Sequence, residues 1–511
     1  MHWFRASEPS PSGRCYFASS LTLGRLGLVG VALALASACG LEADRTAAPD
    51  PLVDCEPGEG PRDARCGWIP VYEDRTAAAG RQIELRVVVY PALSRDRQPD
   101  PLFVLAGGPG QGAAQVSAAV AGAFGDVRRE RDIVFVDQRG TGESNGLPCD
   151  TETDDLGRLF SAEHSIGALL NCLDGYDADL RMYTTAIAMD DLDEVRASLG
   201  YERINLWGGS YGTRAALVYI RRHGEHVRSV VFDGAVPMAM TLPEEFPQDA
   251  QRALDLLFDD CERRTTCRGR FPDLRRQLGE VLARLDNGPV RITLQHPRTG
   301  EEADIELRRE VVTGALRAAL YSADAAAIVP LLIDQMHSGD FTGLSALAVG
   351  IESGPSESKI NWGMFFSVIC AEDLPWVDEA ARNSSPSGVF SNDETLGAWD
   401  KICAAWPRGE VAANYHERVV SDVPALVLSG ALDPVTPPRW GDELAAGFSN
   451  VRHVVALGTG HGASARGCVP EVVAEFVQAG SAENLDIACV EDLQRPGFFV
   501  THGGPSMEQE Q

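Results

Sequence analysis

A serine stands between glycines in GGSYG, residues 208–212, where the apolar run INLWGG gives way at once to a segment of helical spacing, YGTRAALVYIRRH. A serine acts as a nucleophile when its hydroxyl projects to where a carbonyl can reach it and a base can take its proton. A tight strand-to-helix turn provides the projection, and glycines beside the serine tolerate the crowded backbone that such a turn demands. The turn also sets Ser210 at a helix N-terminus, where the amide of Tyr211 can donate to a developing oxyanion. The string alone is a common one, and a glycine-rich turn with an inert serine is the competing reading. The strand before it and the helix after it favour the nucleophile.

Such a serine needs a base, and the base needs an orienter. On an open sheet of this kind the order along the chain is serine, acid, histidine. Asp433 follows the strand-like PALVLSG in the turn-rich ALDPVTPP, and His461 follows the strand-like VRHVVAL in GTGHGAS. Each therefore lies just beyond the C-terminal end of a strand, the edge where open α/β sheets bind ligands. Among the ten histidines, His453 falls within a strand, His223 and His226 flank the elbow helix, and His502 is in the tail. None of these joins a strand-end loop to an acid on the preceding strand. A second oxyanion donor is expected from the loop after an early strand, and LAGGPGQG is that loop, with Gly107 and Gly108 permitting close backbone approach. Asp137 and Arg139 in DQRGTGES read as parts of a structural turn.

The elements that must hold these residues alternate. PLFVLAGGPG, DIVFVDQRG, INLWGG and VRSVVFDGAVP are strand-like, and TTAIAMDDLDEVRASLG and YGTRAALVYIRRH are helix-like. The expected fold is α/β: a mostly parallel sheet with helices on both faces. Residues 237–422 break the rhythm with mostly helical periodicity and one hairpin, VRITLQHPRTGEEADIEL, before the sheet pattern resumes. They are expected to form an inserted, mainly helical cap. The core then comprises residues 65–236 and 423–490, preceded by a tether at 39–64 and followed by a loosely ordered tail at 491–511.

Residues 1–38 read as a signal peptide: Arg5, Arg14 and Arg25 precede the apolar run LGLVGVALALASA, which is too short to span a bilayer. The run ends ALASAC and resembles a bacterial lipobox, making Cys39 a candidate for lipidation; Ala36-Ser37-Ala38 would equally serve an ordinary signal peptidase. Twelve cysteines less Cys15 and Cys39 leave ten, in close neighbours along the chain. An even set in an exported chain predicts disulfides, with sequential pairing the simplest connectivity. No C-x-x-C or H-E-x-x-H spacing suggests a metal, and no cofactor is expected. The net charge of −29 disfavours nucleic-acid partners. A membrane is expected as a partner only through the lipid.

Together, GGPGQG, DQRGTGES, YTTAIAMDDLDEVRASLGYERINLWGGSYGT, LSGALDPVTP and GTGH resemble the α/β-hydrolase family of prolyl and tripeptidyl aminopeptidases, closest to the secreted branch with a TAP-like C-terminal region. The resemblance implies Ser210 as nucleophile, Asp433 as acid and His461 as base, with the amides of Gly108 and Tyr211 as oxyanion hole. It implies removal of residues from the free N-terminus of peptides, with cap acids holding the ammonium group. In SVICAEDLPW, Glu372 and Asp373 are the candidates, held by a Cys370–Cys403 disulfide; a solvated acidic turn is the alternative. Trp362, Phe365 and Phe366 would line a pocket or belong to the core. An esterase or amidase acting on small molecules is the first rival, and a non-catalytic binding protein on the same scaffold the second.

Overall fold

In a computed structural model the described residues are 51–56, 61–149, 162–295, 300–352, 360–379, 388–391 and 393–505. The signal-peptide and Cys39 expectations lie outside them. The strands of the main sheet are β1 (Leu52–Asp54), β2 (Arg65–Tyr72), β3 (Gln82–Tyr90), β4 (Leu102–Leu105), β5 (Ile133–Val136), β6 (Ile204–Gly209) and β7 (Val227–Asp233), then β10 (Ala425–Gly430) and β11 (Val451–Ala456). Between β7 and β10, β8 (Val290–Gln295) and β9 (Glu302–Leu307) make a separate antiparallel hairpin. The order across the nine-stranded sheet is β1-β2-β3-β5-β4-β6-β7-β10-β11. From β5 to β11 all neighbours are parallel, and β1 to β3 add an antiparallel edge.

The central strands β4, β5 and β10 are buried along their whole length because both faces of the sheet are covered there. Phe103 and Leu105 of β4 and Val134 and Val136 of β5 enter one core, with the helices α1 (Thr185–Ser198) and α2 (Tyr211–His223). Their alternate neighbours, Leu102, Val104, Ile133 and Phe135, enter a second core on the opposite face.

The segment between β7 and β10 has a core of its own. The helices α3 (Phe246–Arg263), α4 (Leu274–Asp286), α5 (Arg309–Leu320) and α6 (Val329–His337) bury Leu257, Val281, Leu316 and Ile333 together. Two further helices, α7 (Trp362–Val368) and α8 (Asp393–Ala405), instead pack Phe366, Ile402 and Cys403 into the core on the α1 and α2 face. After β10, α9 (Pro438–Ala445) and α10 (Val469–Ala479) complete the layers, α10 ending at Gly480 with φ 62°, the left-handed conformation glycine adopts without strain.

Two expectations are corrected. Part of the tether is sheet: β1 pairs with β2, and Cys55 is bonded to Cys66. The tail is also built into the fold. β12 (Phe499–Thr501) and β13 (Gly504–Pro505) form a hairpin, Phe498 is buried in the cap core, and the Phe499 amide donates to the Ala327 carbonyl at 2.9 Å. The first segment is ordered by the adjoining strand and a disulfide of sequence separation 11, the second by cap residues distant along the chain. The other disulfides join Cys149 to Cys172, Cys261 to Cys267, Cys370 to Cys403 and Cys468 to Cys489. The pairing is sequential throughout.

Candidate active site

Ser210 lies between β6 and α2 with φ 54° and ψ −124°, a backbone conformation rare for a residue with a side chain. The surrounding glycines are a steric necessity. A Cβ on Gly208 would come within 2.4 Å of the Gly212 carbonyl oxygen, and one on Gly212 within 2.1 Å of the Leu105 carbonyl oxygen. The turn is pinned by the Ser210 amide, which donates to the Asp233 carbonyl at 2.8 Å, and by the Thr213 hydroxyl, which donates to the Ser210 carbonyl at 2.6 Å.

The glycine loop after β4 packs directly on this elbow, since a Cβ on Gly107 would lie 3.2 Å from the Cβ of Ser210. Gly108 follows with φ +106°, and Tyr211 begins α2. Asp137 fastens the same loop from the end of β5: its carboxylate accepts from the Ala114 amide at 2.7 Å and the Glu143 amide at 3.0 Å. Burial, opposed by these two amides, pushes its pKa up to about 6. Arg139 is structural too, bound to Asp191 at 2.6 and 2.9 Å and to the carbonyls of Tyr72, Glu73 and Met182.

Asp433 is fully buried beyond β10. One oxygen accepts from the amides of Val435 and Thr436, both at 2.8 Å, and the other accepts from the Thr436 hydroxyl at 2.7 Å and faces His461 Nδ1 at 2.8 Å. Burial works against its charge, but the His461 charge and hydrogen bond, with those from Thr436, outweigh burial and hold the carboxyl below its ordinary range. Burial likewise presses the His461 pKa down, and the charge and hydrogen bond of Asp433, with the charge of Asp233, carry it above the ordinary histidine value. An imidazole whose Nδ1–H is fixed on a carboxylate presents Nε2 as the acceptor, the form a general base requires.

Four residues that the sequence reading passed over surround this pair. Asp233, at the end of β7, accepts from the amides of Ala463 and Ser464 at 2.7 and 2.8 Å and so anchors the loop that carries His461. The next residue, Gly234, has φ +71°, and a Cβ there would lie 3.2 Å from the His461 ring. The Asp233–Gly234 turn therefore touches both Ser210, through its carbonyl, and His461. Tyr321 reaches over from the cap; its carbonyl accepts the His461 amide at 2.8 Å and its ring meets the imidazole edge-on at 5.2 Å. Thr436 is the fourth, its hydroxyl lying 3.1 Å from His461 Nδ1. An acid directly before a glycine at a strand end, FDG, was the one local signal available.

Glu372 and Asp373 are corrected. Neither is placed to receive a substrate ammonium, because both are buried and bound within the protein. They lie in a π-helical turn, Ile369–Asp373, tied to α8 by the Cys370–Cys403 disulfide. Glu372 accepts from the Thr185 amide and hydroxyl, each at 2.6 Å, and from the Tyr415 hydroxyl. It thus caps the N-terminus of α1, where a carboxylate is favoured. Thr185 in turn lies 2.5 Å from the Tyr211 hydroxyl, so the chain of bonds ends one residue from Ser210. Asp373 binds Arg214 of the elbow helix at 2.7 Å and the Leu242 amide at 3.0 Å. Phe365 and Phe366 pack edge-on with Trp399, and Trp362 packs edge-on with Phe365, all against the core on the α1 and α2 face.

A prediction follows from the Glu372 geometry. Glu372→Ala leaves two buried donors, the Thr185 amide and the Tyr415 hydroxyl, without this acceptor and should cost roughly 2–6 kcal/mol of stability, at about 1–3 kcal/mol for each unsatisfied group. Glu372→Gln preserves the shape and should retain most of it. Burial raises the Glu372 pKa despite the hydrogen bonds from Thr185 and Tyr415. A raised carboxyl contributes its full stability below the ordinary carboxyl pKa and loses it as pH rises through the folded value. Wild type should therefore lose stability with rising pH more steeply than Glu372→Gln. Thermal melts of the three proteins across pH 4–8 check this, and an unchanged melting temperature in Glu372→Ala would refute it.

Among the described residues no group of three or more His, Cys, Asp or Glu side chains is gathered as a metal site needs, and no helix is long and apolar enough to cross a membrane. The chemistry on offer is that of a hydroxyl, an imidazole and a buried carboxylate at the C-terminal edge of a parallel sheet.

Comparison with known proteins agrees with this architecture. The model of the α/β hydrolase fold matches residues 100–291, and that of TAP-like proteins matches residues 389–489. Carboxylesterase B of Mycobacterium tuberculosis (strain ATCC 25618 / H37Rv) is 28% identical, over 84% of this chain and 86% of the relative. Serine protease Hip1 of the same strain is 25% identical, over 84% of this chain and 88% of the relative. Tripeptidyl aminopeptidase of Streptomyces lividans is 22% identical, over 84% of each. With its sheet order and cap insertion, and with these two models meeting on one chain, the protein belongs to the α/β-hydrolase family, in the group that carries a TAP-like C-terminal region.

Proposed function

We propose that this hydrolase is a serine hydrolase that removes residues from the free N-terminus of peptides. Ser210 attacks the scissile carbonyl carbon while His461 Nε2 takes its proton, and the amides of Gly108 and Tyr211 receive the oxyanion. The tetrahedral adduct collapses with loss of the amine, which takes the proton back from His461 and leaves an acyl-serine. Water, deprotonated by His461, then releases the acid and restores the serine. Asp433 keeps the imidazole in the required tautomer and stabilises its charged form. The observation that carries the reading is the strained elbow at Ser210 beside the Asp433–His461 pair, joined through the Asp233–Gly234 turn.

The peptide preference draws support from the relatives named tripeptidyl aminopeptidase and serine protease. Export draws support from the five disulfides, which persist in oxidising compartments. Lipidation of Cys39 is part of the same proposal. A second reading, an esterase, is favoured by the internal commitment of Glu372 and Asp373, which leaves the ammonium without the acids first assigned to it, and by the relative named carboxylesterase B.

One panel decides between them: chromogenic peptides with free and acetylated N-termini, beside simple aryl esters. The exopeptidase reading expects free peptides to be cleaved at least ~10-fold faster than acetylated ones, about 1.4 kcal/mol in the transition state. Equal rates would remove that reading. Turnover of esters with no peptide cleaved would establish the second.

A further inference from the structure

The glycine loop after β4 is met by two residues of the cap insertion, Ile360 and Asn361, which lie just before α7. Gln111 and Ile360 form an antiparallel bridge, and the Asn361 backbone amide donates to the Gly110 carbonyl at 2.9 Å. The Asn361 side chain donates to the same carbonyl through Nδ2 at 3.0 Å. Asn361 is the N-cap residue of α7, a place where asparagine ordinarily turns its side chain back onto its own helix. Here it makes no such bond and is turned to the loop instead. Asn361 is buried and Ile360 half-buried.

The approach leaves no room for side chains on the loop. A Cβ on Gly110 would lie 2.7 Å from the Asn361 carbonyl oxygen and 3.1 Å from Cγ2 of Ile360. One on Gly108 would lie 3.3 Å from Cδ1 of Ile360. Gly108 and Gly110 have φ +106° and +99°, conformations that glycine enters without strain and leaves as easily. The loop is fixed on either side of them: Gly107 packs on the Ser210 elbow, and the Ala114 amide donates to Asp137. Between those points, Gly108 and Gly110 meet Ile360 and Asn361.

We propose that Ile360 and Asn361 are positioning residues for the oxyanion hole: they hold the Gly108–Gly110 segment against the cap, so that the Gly108 amide is aimed before the oxyanion forms. This rests on the reading of Ser210 as nucleophile and of the Gly108 and Tyr211 amides as donors. A donor accelerates the reaction to the extent that it is already oriented when charge develops, and removing one donor outright costs about 10²–10³ in kcat. A donor that is present but unrestrained forfeits part of that factor. The hydrogen bond strengthens from the substrate carbonyl to the oxyanion, so the loss falls on kcat and little on KM. The cap insertion then takes part in the rate of the chemical step through residues that need not touch the substrate.

The test counts reactive serines first. Fluorophosphonate titration to completion gives the concentration of folded, competent enzyme, and kcat is expressed per titrated serine on whichever aryl ester or chromogenic peptide the wild type turns over. Asn361→Leu, which keeps the bulk and removes the donor, should lower kcat per titrated serine by about 10-fold or more with KM within about 3-fold. Ile360→Ala should act in the same direction, and Ile360→Val, which keeps most of the contact, should stay within about 3-fold of wild type. Phenylboronic acid, whose tetrahedral adduct on Ser210 sets an oxygen in the oxyanion position, should bind the impaired variants more weakly by a factor matching the fall in kcat. Misfolding lowers the titrated fraction and not the rate per serine, and if Asn361→Leu yields no titratable serine, Ile360→Ala decides alone. An unchanged kcat per titrated serine, or a fall in kcat with boronate affinity unchanged, overturns the proposal. A wild type that takes no label at Ser210 removes the serine-hydrolase reading itself, so that failure is told apart from a failure of the clamp.

Discussion

Ser210→Ala should lower hydrolysis by about 10⁴- to 10⁶-fold while leaving the fold and its melting temperature unchanged. The magnitude reflects the loss of covalent catalysis; what remains is binding and the oxyanion donors. Stability should be unaffected for a local reason. The backbone bonds that pin the elbow run from the Ser210 amide to Asp233 and from Thr213 to the Ser210 carbonyl, and alanine keeps both. The strain of φ 54° is shared by wild type and variant. A fluorophosphonate probe should add one equivalent to the wild type and none to the variant, read by intact mass. Labelling or turnover that persists in Ser210→Ala would place the nucleophile elsewhere.

Asp433→Asn should lower kcat/KM by about 10⁴-fold, through the tautomer as much as the charge. In wild type the carboxylate accepts the His461 Nδ1–H at 2.8 Å, and Nε2 is left as an acceptor. An asparagine amide at the same oxygen would donate to Nδ1, put the proton on Nε2 and remove the base. The residual activity should also titrate differently. The base acts as neutral imidazole, so kcat/KM rises with pH through the His461 pKa. Asp433 and Asp233 raise that pKa against burial, and the acid limb in wild type should lie above the ordinary histidine range. With Asp433 neutralised the burial effect is less opposed, and the limb should move to lower pH. A pH profile on one ester substrate reads both effects; an acid limb that stays in place in Asp433→Asn would show that the carboxylate does not face the titrating histidine.

The features legible in the sequence are those decided over short spans of chain. Short, mainly apolar runs of four to six residues mark strands covered on both faces, and the fold has them at β4, β5, β6 and β10. The glycines of GGSYG are legible because the steric demand of the elbow falls on residues two positions away. The Asp433 turn is legible because its carboxylate is bound by amides two and three residues on. The order of serine, acid and histidine follows from the order of the strands that end in them.

What the sequence left open depended on partners far along the chain. AEDLP reads either as cap acids for a substrate ammonium or as a solvated acidic turn, yet Glu372 is bound to Thr185, 187 residues away, and Asp373 to Arg214, 159 residues away. A carboxylate placed beside an unbonded helix N-terminus or a guanidinium is stable in the interior, whereas the same residue without such partners is held at the surface by its hydration. No local pattern carries that information. Local sterics and periodicity determined the elements and the order of Ser210, Asp433 and His461 along the chain; the tertiary structure decided which charges are satisfied inside the protein, because the burial and pairing of a charge are set by whatever the fold places next to it.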